Sequence, residues 1–262
     1  MVNIIVCMKQ VPDPEAPAST YRVDAEARHV VQWGVPPVLS PFDENALEIA
    51  LRLKDILKGK ITVLSMGRSL SKAIARKALA AGADQMVLLE DSAFEDLDNY
   101  ATAFALAAAI RKTGEYDLVL TGREAADTNA GIVGSGIAEI LGIPSVTLAR
   151  KVEINDGTAR IERVAIDGYE VIDVALPALI TISNEAGELR SVSVRELMEA
   201  QKKPITTWSA DDLGIQPAEL GRTKLVNVFI PQIEVRCELV HGETEDELGR
   251  NLAIKLRENE II

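Results

Sequence analysis

Residues Gly122–Gly136 read GREAADTNAGIVGSG and directly follow the apolar run Asp117-Leu-Val-Leu-Thr121. Asp127, Thr128 and Asn129 are good helix N-cap types. Ala130, Gly131, Gly134, Ser135 and Gly136 then place almost no side chain at the helix start expected from residue 130 onward. Small residues in a first turn leave its backbone N–H groups open, and those groups with the helix dipole attract an anion. The chemistry on offer is phosphate binding, with a nucleotide as the natural owner of the phosphate. A second reading stays open here: the same glycines let a helix pack closely on a sheet. Neither the G-x-G-x-x-G order nor the G-x-x-x-x-G-K-[ST] pattern occurs.

No enzyme signature accompanies this segment. The chain has no G-x-S-x-G elbow and no H-E-x-x-H. His29 and His241 are isolated, and Cys7 and Cys237 provide neither a disulfide framework nor a cysteine-rich metal site. Asp43 and Glu44 are adjacent carboxylates at a helix start, where they complement the dipole. Asp167 and Glu170 fall at a hairpin tip and read as solvated. Lys202 and Lys203 form a small basic spot, suited to solubility or to steering an acidic partner. Taken alone, these residues describe a nucleotide-binding module with neither catalytic machinery nor a metal site.

Composition narrows the class. With 262 residues, 47% hydrophobic and 26% charged, the chain can bury a full core. A formal charge of −12 argues against a general nucleic-acid or anionic-membrane binder. At 4% aromatic content it also lacks the stacking platforms of a single-strand binder. MVNIIVCMKQ is too short in its apolar run for a signal peptide, and no stretch reaches membrane-spanning length. A cytoplasmic protein, not itself embedded in a membrane, is the expectation.

The elements that must position the glycine-rich segment alternate strand and helix. Asn3–Met8, Lys60–Met66, Gln85–Glu90 and residues 117–121 read as buried parallel strands. Helices are expected from Pro41 to about Leu57, over Ser69–Ala81 and Tyr100–Lys112, and over 130–141; residues 10–40 read as a long excursion. Such a βα alternation requires a parallel sheet covered by helices on both faces, with ligands at the carboxyl ends of strands near a topological switch point. The loops after Met8, Met66 and Thr121 are the places to look. The pattern then changes: Val146–Ile154, Thr158–Ile166 and Glu170–Val174 alternate around Asn155-Asp-Gly157 and Asp167-Gly168, as in antiparallel hairpins. Pro177–Ile182 returns to a buried strand, and a helix follows over roughly Val194–Lys202. From Pro204 the chain reads as a polar tail with a strand-like Ile233–Val240 and a final helix from Glu245 to about Glu258. Residues 1–203 are thus expected to form the α/β domain, with a hairpin region at about 146–175, and residues 204–262 a C-terminal arm.

Several segments together resemble the β subunit of electron transfer flavoproteins. VCMKQVPD is similar to that family's opening strand, and Ser40-Pro-Phe-Asp-Glu-Asn-Ala-Leu-Glu48 to its Asn-Pro-Phe helix start. GREAADTNAGIVGSG stands where its nucleotide loop lies. Ile166-Asp-Gly-Tyr-Glu170 with Leu176-Pro-Ala-Leu-Ile-Thr181 resembles its signature segment. Val194–Lys203 is similar to the helix behind its partner-recognition loop, and Asp212-Leu-Gly214 to a short tail motif. The match runs essentially end to end in the expected order.

The resemblance implies a flavodoxin-like, adenine-nucleotide-binding domain in a heterodimer. The larger α subunit would hold most of the redox FAD, with this subunit contributing part of its surroundings and wrapping the partner with its C-terminal arm. Respiratory members bury an AMP without redox function. By matching position its contacts are Cys7, Ser40, Pro41, Phe42, Asp43, Met66, Gly122, Arg123, Glu124, Ala125, Ala126, Asp127, Thr128, Asn129, Ala130, Gly131 and Val133. The dehydrogenase-docking loop corresponds to about 188–196, with Glu188, Leu189, Arg190, Arg195 and Lys202 around the apolar anchor Val194. Electrons would come from flavin dehydrogenases such as acyl-CoA dehydrogenases and pass to a membrane quinone oxidoreductase, making the chain a carrier subunit rather than an enzyme. Val194 stands where Leu is common and Ile132 where Gln is usual, while Asp43 replaces the Cys of many respiratory members. Some anaerobic members hold a second FAD in place of AMP, oxidise NADH and reduce ferredoxin. Asp43 leans toward that branch and Ile132 away from it. A free-standing adenine-nucleotide sensor of similar fold is the third alternative.

Overall fold

Continuous apolar runs become strands whose alternate residues bury on opposite faces. In β1 (Asn3–Cys7), Ile4 and Val6 face one core layer while Ile5 and Cys7 face the other. The computed structural model describes residues 2–24, 29–67, 69–216, 220–231 and 237–262. The chain divides into two compact units, Met1–Val228 and Phe229–Ile262.

In the first unit, the excursion after β1 is tied into two short ladders. β2 (Gln10–Val11) pairs with β5 (Val38–Leu39), and between them β3 (Tyr21–Asp24) pairs with β4 (His29–Gln32). The helical and strand patterns that follow give α1 (Pro41–Leu57), β6 (Lys60–Gly67), α2 (Lys72–Ala81), β7 (Gln85–Glu90), α3 (Asn99–Thr113), β8 (Leu118–Gly122) and α4 (Val133–Leu141). An antiparallel meander of β9 (Ser145–Asn155), β10 (Thr158–Ala165) and β11 (Gly168–Ala175) precedes β12 (Ala178–Ile182). α5 (Val194–Ala200), β13 (Ile205–Trp208) and the short α6 (Ala210–Leu213) complete the unit.

Among the described residues the sheet has the order β11-β10-β9-β12-β8-β1-β6-β7-β13, parallel from β9 to β13. Leu47, Leu51, Ala78 and Leu79 of α1 and α2 cover one face; Ala103, Ala107, Ile110, Ile137 and Ala138 of α3 and α4 cover the other. The architecture is α/β with a mostly parallel sheet between helical layers. The edge strand β13 is absent from the sequence-based expectation, which runs polar tail from Pro204; Ile205 nevertheless lies opposite Met86 in register. Near the end of α1, Ile56 falls at helical spacing from Leu53 and Ile49 yet stands 77% exposed.

From β1 the chain adds β6 and β7 on one side, then crosses to β8 on the other. The helices that follow β1 and β8 accordingly lie on opposite faces, and the carboxyl ends of these neighbouring strands form the switch point of the sheet.

In the second unit, α7 (Glu245–Glu258) starts at Thr244, whose Oγ1 accepts from Glu247 N at 3.2 Å. Lys255 pairs with Glu238 at 2.6 Å. Leu248, Leu252 and Ile254 all remain open to solvent, and α7 buries none of its residues. Of the strand expected over Ile233–Val240, residues 233–236 lie outside the described residues and 237–240 form no strand.

Candidate functional site

Cys7 and Thr121 lie opposite each other at the ends of β1 and β8, so two loops leave the sheet together. The start of α1 closes over both. Asp43, only 7% exposed, accepts from Lys9 N at 2.7 Å with Oδ2 and from Gly122 N at 2.9 Å with Oδ1. It is thus more than a carboxylate complementing a helix dipole: it joins the loop after β1 to the loop after β8. Ser40, fully buried, donates its N–H to Lys9 O at 2.9 Å, and its Oγ accepts from Ala126 N at 3.3 Å. A Cβ at Gly122 would fall 2.6 Å from Asp43 Oδ1 and 2.7 Å from the Phe42 carbonyl carbon, so only glycine permits this approach. Pro41 occupies the first turn of α1, where its missing N–H costs nothing.

Two ion pairs line this crevice. Lys9 Nζ lies 2.6 Å from Asp127 Oδ2, and the Arg123 guanidinium stacks 4.8 Å from the Phe42 ring centroid while pairing with Glu124 at 2.7 Å. Burial pushes the Asp43 carboxyl up to about 7, against the opposing pull of its two N–H donors and Lys9. Burial, reinforced by Asp43, pushes the Cys7 thiol up to about 12, so Cys7 is an un-ionised core thiol at neutral pH. Met66 is half-buried near the end of β6, against the α3–α4 side of the core.

The loop from Arg123 to Ile132 differs from the expected N-cap. Thr128 N and Asn129 N both donate to Ala125 O, Asn129 takes φ +48° and Gly131 φ +65°. These turns delay the helix to Val133, and Asp127 is committed to Lys9. The N-cap is therefore Ile132, which supplies no side-chain hydrogen bond to the first turn. The glycines divide their labour. A Cβ on Gly134 would meet Thr121 Oγ1 at 2.7 Å and Thr181 Cγ2 at 2.8 Å, and one on Gly136 would meet Ala103 Cβ at 3.1 Å. Gly134 and Gly136 serve close packing, Gly131 the turn. What fits a phosphate is the helix start itself: backbone donors, no side-chain cap, and Gly131 and Gly134 on either side of Ile132 and Val133. Ala130 and Val133 flank it half-buried, while Thr128 and Asn129 are exposed.

The second group of expected site residues clusters around α5. Ser193 and Glu196 form a capping box at its start. Val194 is 75% exposed, and Leu197 and Met198 are exposed beside it. Arg195 pairs with Glu199 at 3.0 Å on the surface, and Glu188 and Lys202 are exposed. Leu189 packs against the core instead, and Arg190 turns inward to Glu48 at 3.0 Å and to Asp55 at 3.0 Å. Lys203 is no loose basic spot: its Nζ donates to Leu79 O and Ala83 O, both at 2.7 Å, at the end of α2. Lys9 and Glu48 are the residues that reading the sequence missed. The signal for Lys9 was a cation just beyond the carboxyl end of a buried strand; for Glu48 it was a carboxylate set among the apolar residues of a helix.

No helix among the described residues is long and apolar enough to cross a membrane. The Electron transfer flavoprotein domain model matches residues 29–213. The chain is 43% identical to electron transfer flavoprotein subunit beta of Clostridium acetobutylicum, with both chains covered in full. It is 40% identical to caffeyl-CoA reductase–Etf complex subunit CarD of Acetobacterium woodii, again over the whole of both. It is 37% identical to protein FixA of Azorhizobium caulinodans, across 82% of this chain and 78% of that protein.

Proposed function

The chain belongs to the electron transfer flavoprotein family, among its β subunits, and we propose that it works there as the nucleotide-holding half of a cytoplasmic α/β heterodimer. In this reading the crevice at the ends of β1 and β8 holds AMP. Its phosphate meets the uncapped start of α4, with Lys9 and Arg123 balancing its charge and the Ser40–Asp43 turn forming the wall. The observation that carries the reading is the Asp43 carboxylate, buried between Lys9 N and Gly122 N, which fixes both loops of a switch-point crevice beside that helix start. FAD, shared with the α subunit, supplies the electron-carrying chemistry; this chain's part is to bind, orient and dock.

Val194, Leu197 and Met198 form the surface that meets a flavin dehydrogenase of the acyl-CoA type, from which electrons go on to a membrane quinone oxidoreductase. The C-terminal arm, expected over residues 204–262, engages the α subunit through its last part, Phe229–Ile262, the part that forms a compact unit of its own. The open apolar side chains of α7 support an arm over a free-standing nucleotide sensor, because they need a cover.

A second reading, an electron-bifurcating complex with a second FAD in the same crevice, is favoured by Asp43 and by the similarity to a subunit of a caffeyl-CoA reductase–Etf complex. Quantifying FAD and AMP released from the purified heterodimer decides between them. One FAD and one AMP per heterodimer is the expected result. Two FAD with NADH-driven ferredoxin reduction selects the second reading, and a complex without any adenine nucleotide in this subunit refutes both.

A further inference from the structure

Glu48 lies on α1 among Leu47, Ile49 and Leu51 and is only 5% exposed, yet it carries a carboxylate. A buried charge is strongly unfavourable unless paired and hydrogen-bonded, so its partners explain its presence. Oε2 accepts from Arg190 N at 3.1 Å and Arg190 Nε at 3.0 Å; Oε1 accepts from Arg190 Nη2 at 3.2 Å and from Arg52 Nε at 3.0 Å. These bonds hold the Glu48 carboxyl below its ordinary range despite burial.

The neighbouring positions of the same helix ridge extend the grip. Asn45 Nδ2 donates to Gly187 O at 2.6 Å, Arg52 Nη1 to Ala186 O at 2.9 Å, and Arg190 Nη1 reaches Asp55 at 3.0 Å. Positions 45, 48, 52 and 55 are spaced to lie along one side of a helix. Gly187 sits at φ +97°, and a Cβ there would lie 3.1 Å from Arg52 Nη2. One ridge of α1 therefore holds residues 186–190, a stretch with little regular structure of its own, and that stretch leads directly into the exposed Val194 face of α5.

We propose that Glu48 and Arg190 are positioning residues for partner docking: the buried carboxylate and its guanidinium preset the 186–193 segment so that Val194, Leu197 and Met198 are presented as one ready-made apolar surface to a redox protein with a complementary apolar pocket. The proposal rests on the docking role given to α5 under Proposed function. Its physical basis is preorganisation. A segment already ordered before binding loses less conformational freedom on docking, so its apolar contacts return more affinity. Stability alone does not call for this arrangement, since a well-packed apolar pair commonly equals a buried ion pair. Directional bonds to three backbone groups of one segment are what an apolar pair would not reproduce.

The test uses the intact α/β holoprotein carrying Glu48→Gln or, as the milder change that keeps the positive charge, Arg190→Lys. Amide hydrogen exchange of residues 186–200 is measured together with steady-state reduction by an acyl-CoA dehydrogenase that reduces the wild-type complex. Exchange in 186–193 should rise, and the KM for the complex should rise about tenfold with little change in kcat or flavin content. Arg190→Lys should fall between wild type and Glu48→Gln, and it decides the matter if Glu48→Gln fails to fold. Unaltered exchange in the variant overturns the anchoring role. Raised exchange with an unaltered KM overturns the preorganising role and leaves the anchor as a purely structural device, whereas an unaltered KM for Val194→Glu in the same assay overturns the docking role of α5 on which the proposal rests.

Discussion

Replacing Asp43 with Asn keeps the shape of the side chain while removing a buried charge and one of its two backbone acceptors. In the folded chain burial pushes the Asp43 carboxyl from 3.8 up to about 7. Between those values the folded state keeps a proton that the unfolded state has released, so the associated stability is fully present below about 4 and is lost as pH rises through about 7. The full difference corresponds to roughly 4 kcal/mol, of which roughly 3 kcal/mol falls between about pH 5 and about pH 8. The amide of Asp43→Asn does not titrate. The wild-type complex should therefore lose stability relative to Asp43→Asn by roughly 3 kcal/mol over that interval, whatever the other carboxyls do in both proteins. Superimposed on this is a fixed cost of about 1–3 kcal/mol, because the Asn amide cannot accept from both Lys9 N and Gly122 N. Urea denaturation of the two heterodimers, at matched protein concentration and several pH values, reads the difference directly. Parallel curves would refute the assignment of Asp43 as a buried, proton-linked join between the two loops.

Three further perturbations separate packing, nucleotide binding and docking. Gly134→Ala drives a methyl to within 2.8 Å of Thr121 and Thr181 and should cost about 1–3 kcal/mol; an unchanged thermal midpoint would show that α4 moves freely away from the sheet. Ile132→Ser gives α4 a side-chain cap, which should stabilise the nucleotide-free chain by up to about 1 kcal/mol while weakening AMP binding by calorimetry. Affinity that stays the same or improves would remove the helix start from the site. Val194→Glu should raise the KM for the dehydrogenase about thirtyfold, a cost of about 2 kcal/mol, without loss of flavin, and transfer at the normal rate would clear Val194 of any docking role.

What the sequence discloses follows the range of the forces involved. Gln85–Glu90 and Glu245–Glu258 are legible to the residue, because apolar periodicity and caps are local signals. Ile205–Trp208 escapes because a four-residue edge strand after a proline buries little, and its identity comes from pairing with β7. The ladders within 10–40 escape for the same reason: Gln10 needs Leu39, far along the chain, to become a strand residue. At the site, the glycine-rich loop stands out by type, whereas Asp43 reads by type as a helix-start carboxylate and enters the site only through the family resemblance. Lys9 with Asp127 and Glu48 with Arg190 do not, since 118 and 142 residues separate the partners. Arg190 shows the consequence most clearly. Its position in a docking motif suggests an outward contact, but a carboxylate on a distant helix turns it inward.

The glycine-rich segment poses an apparent choice between phosphate cradle and helix packing, and its geometry dissolves that choice. Gly134 must lack a side chain so that α4 can lie against Thr121 and Thr181, and that same approach holds the first turn of α4 close to the end of β8. Packing thus sets the direction of the dipole, and the direction sets what an anion would meet. The proposed ligand accounts for a residue that departs from ordinary helix chemistry. An exposed isoleucine at the N-cap forgoes about 1 kcal/mol of capping, a few residues after Asp127, whose carboxylate is taken by Lys9. A helix that only packed would gain by filling that position with Ser or Asn; one whose cap arrives as a phosphate would not.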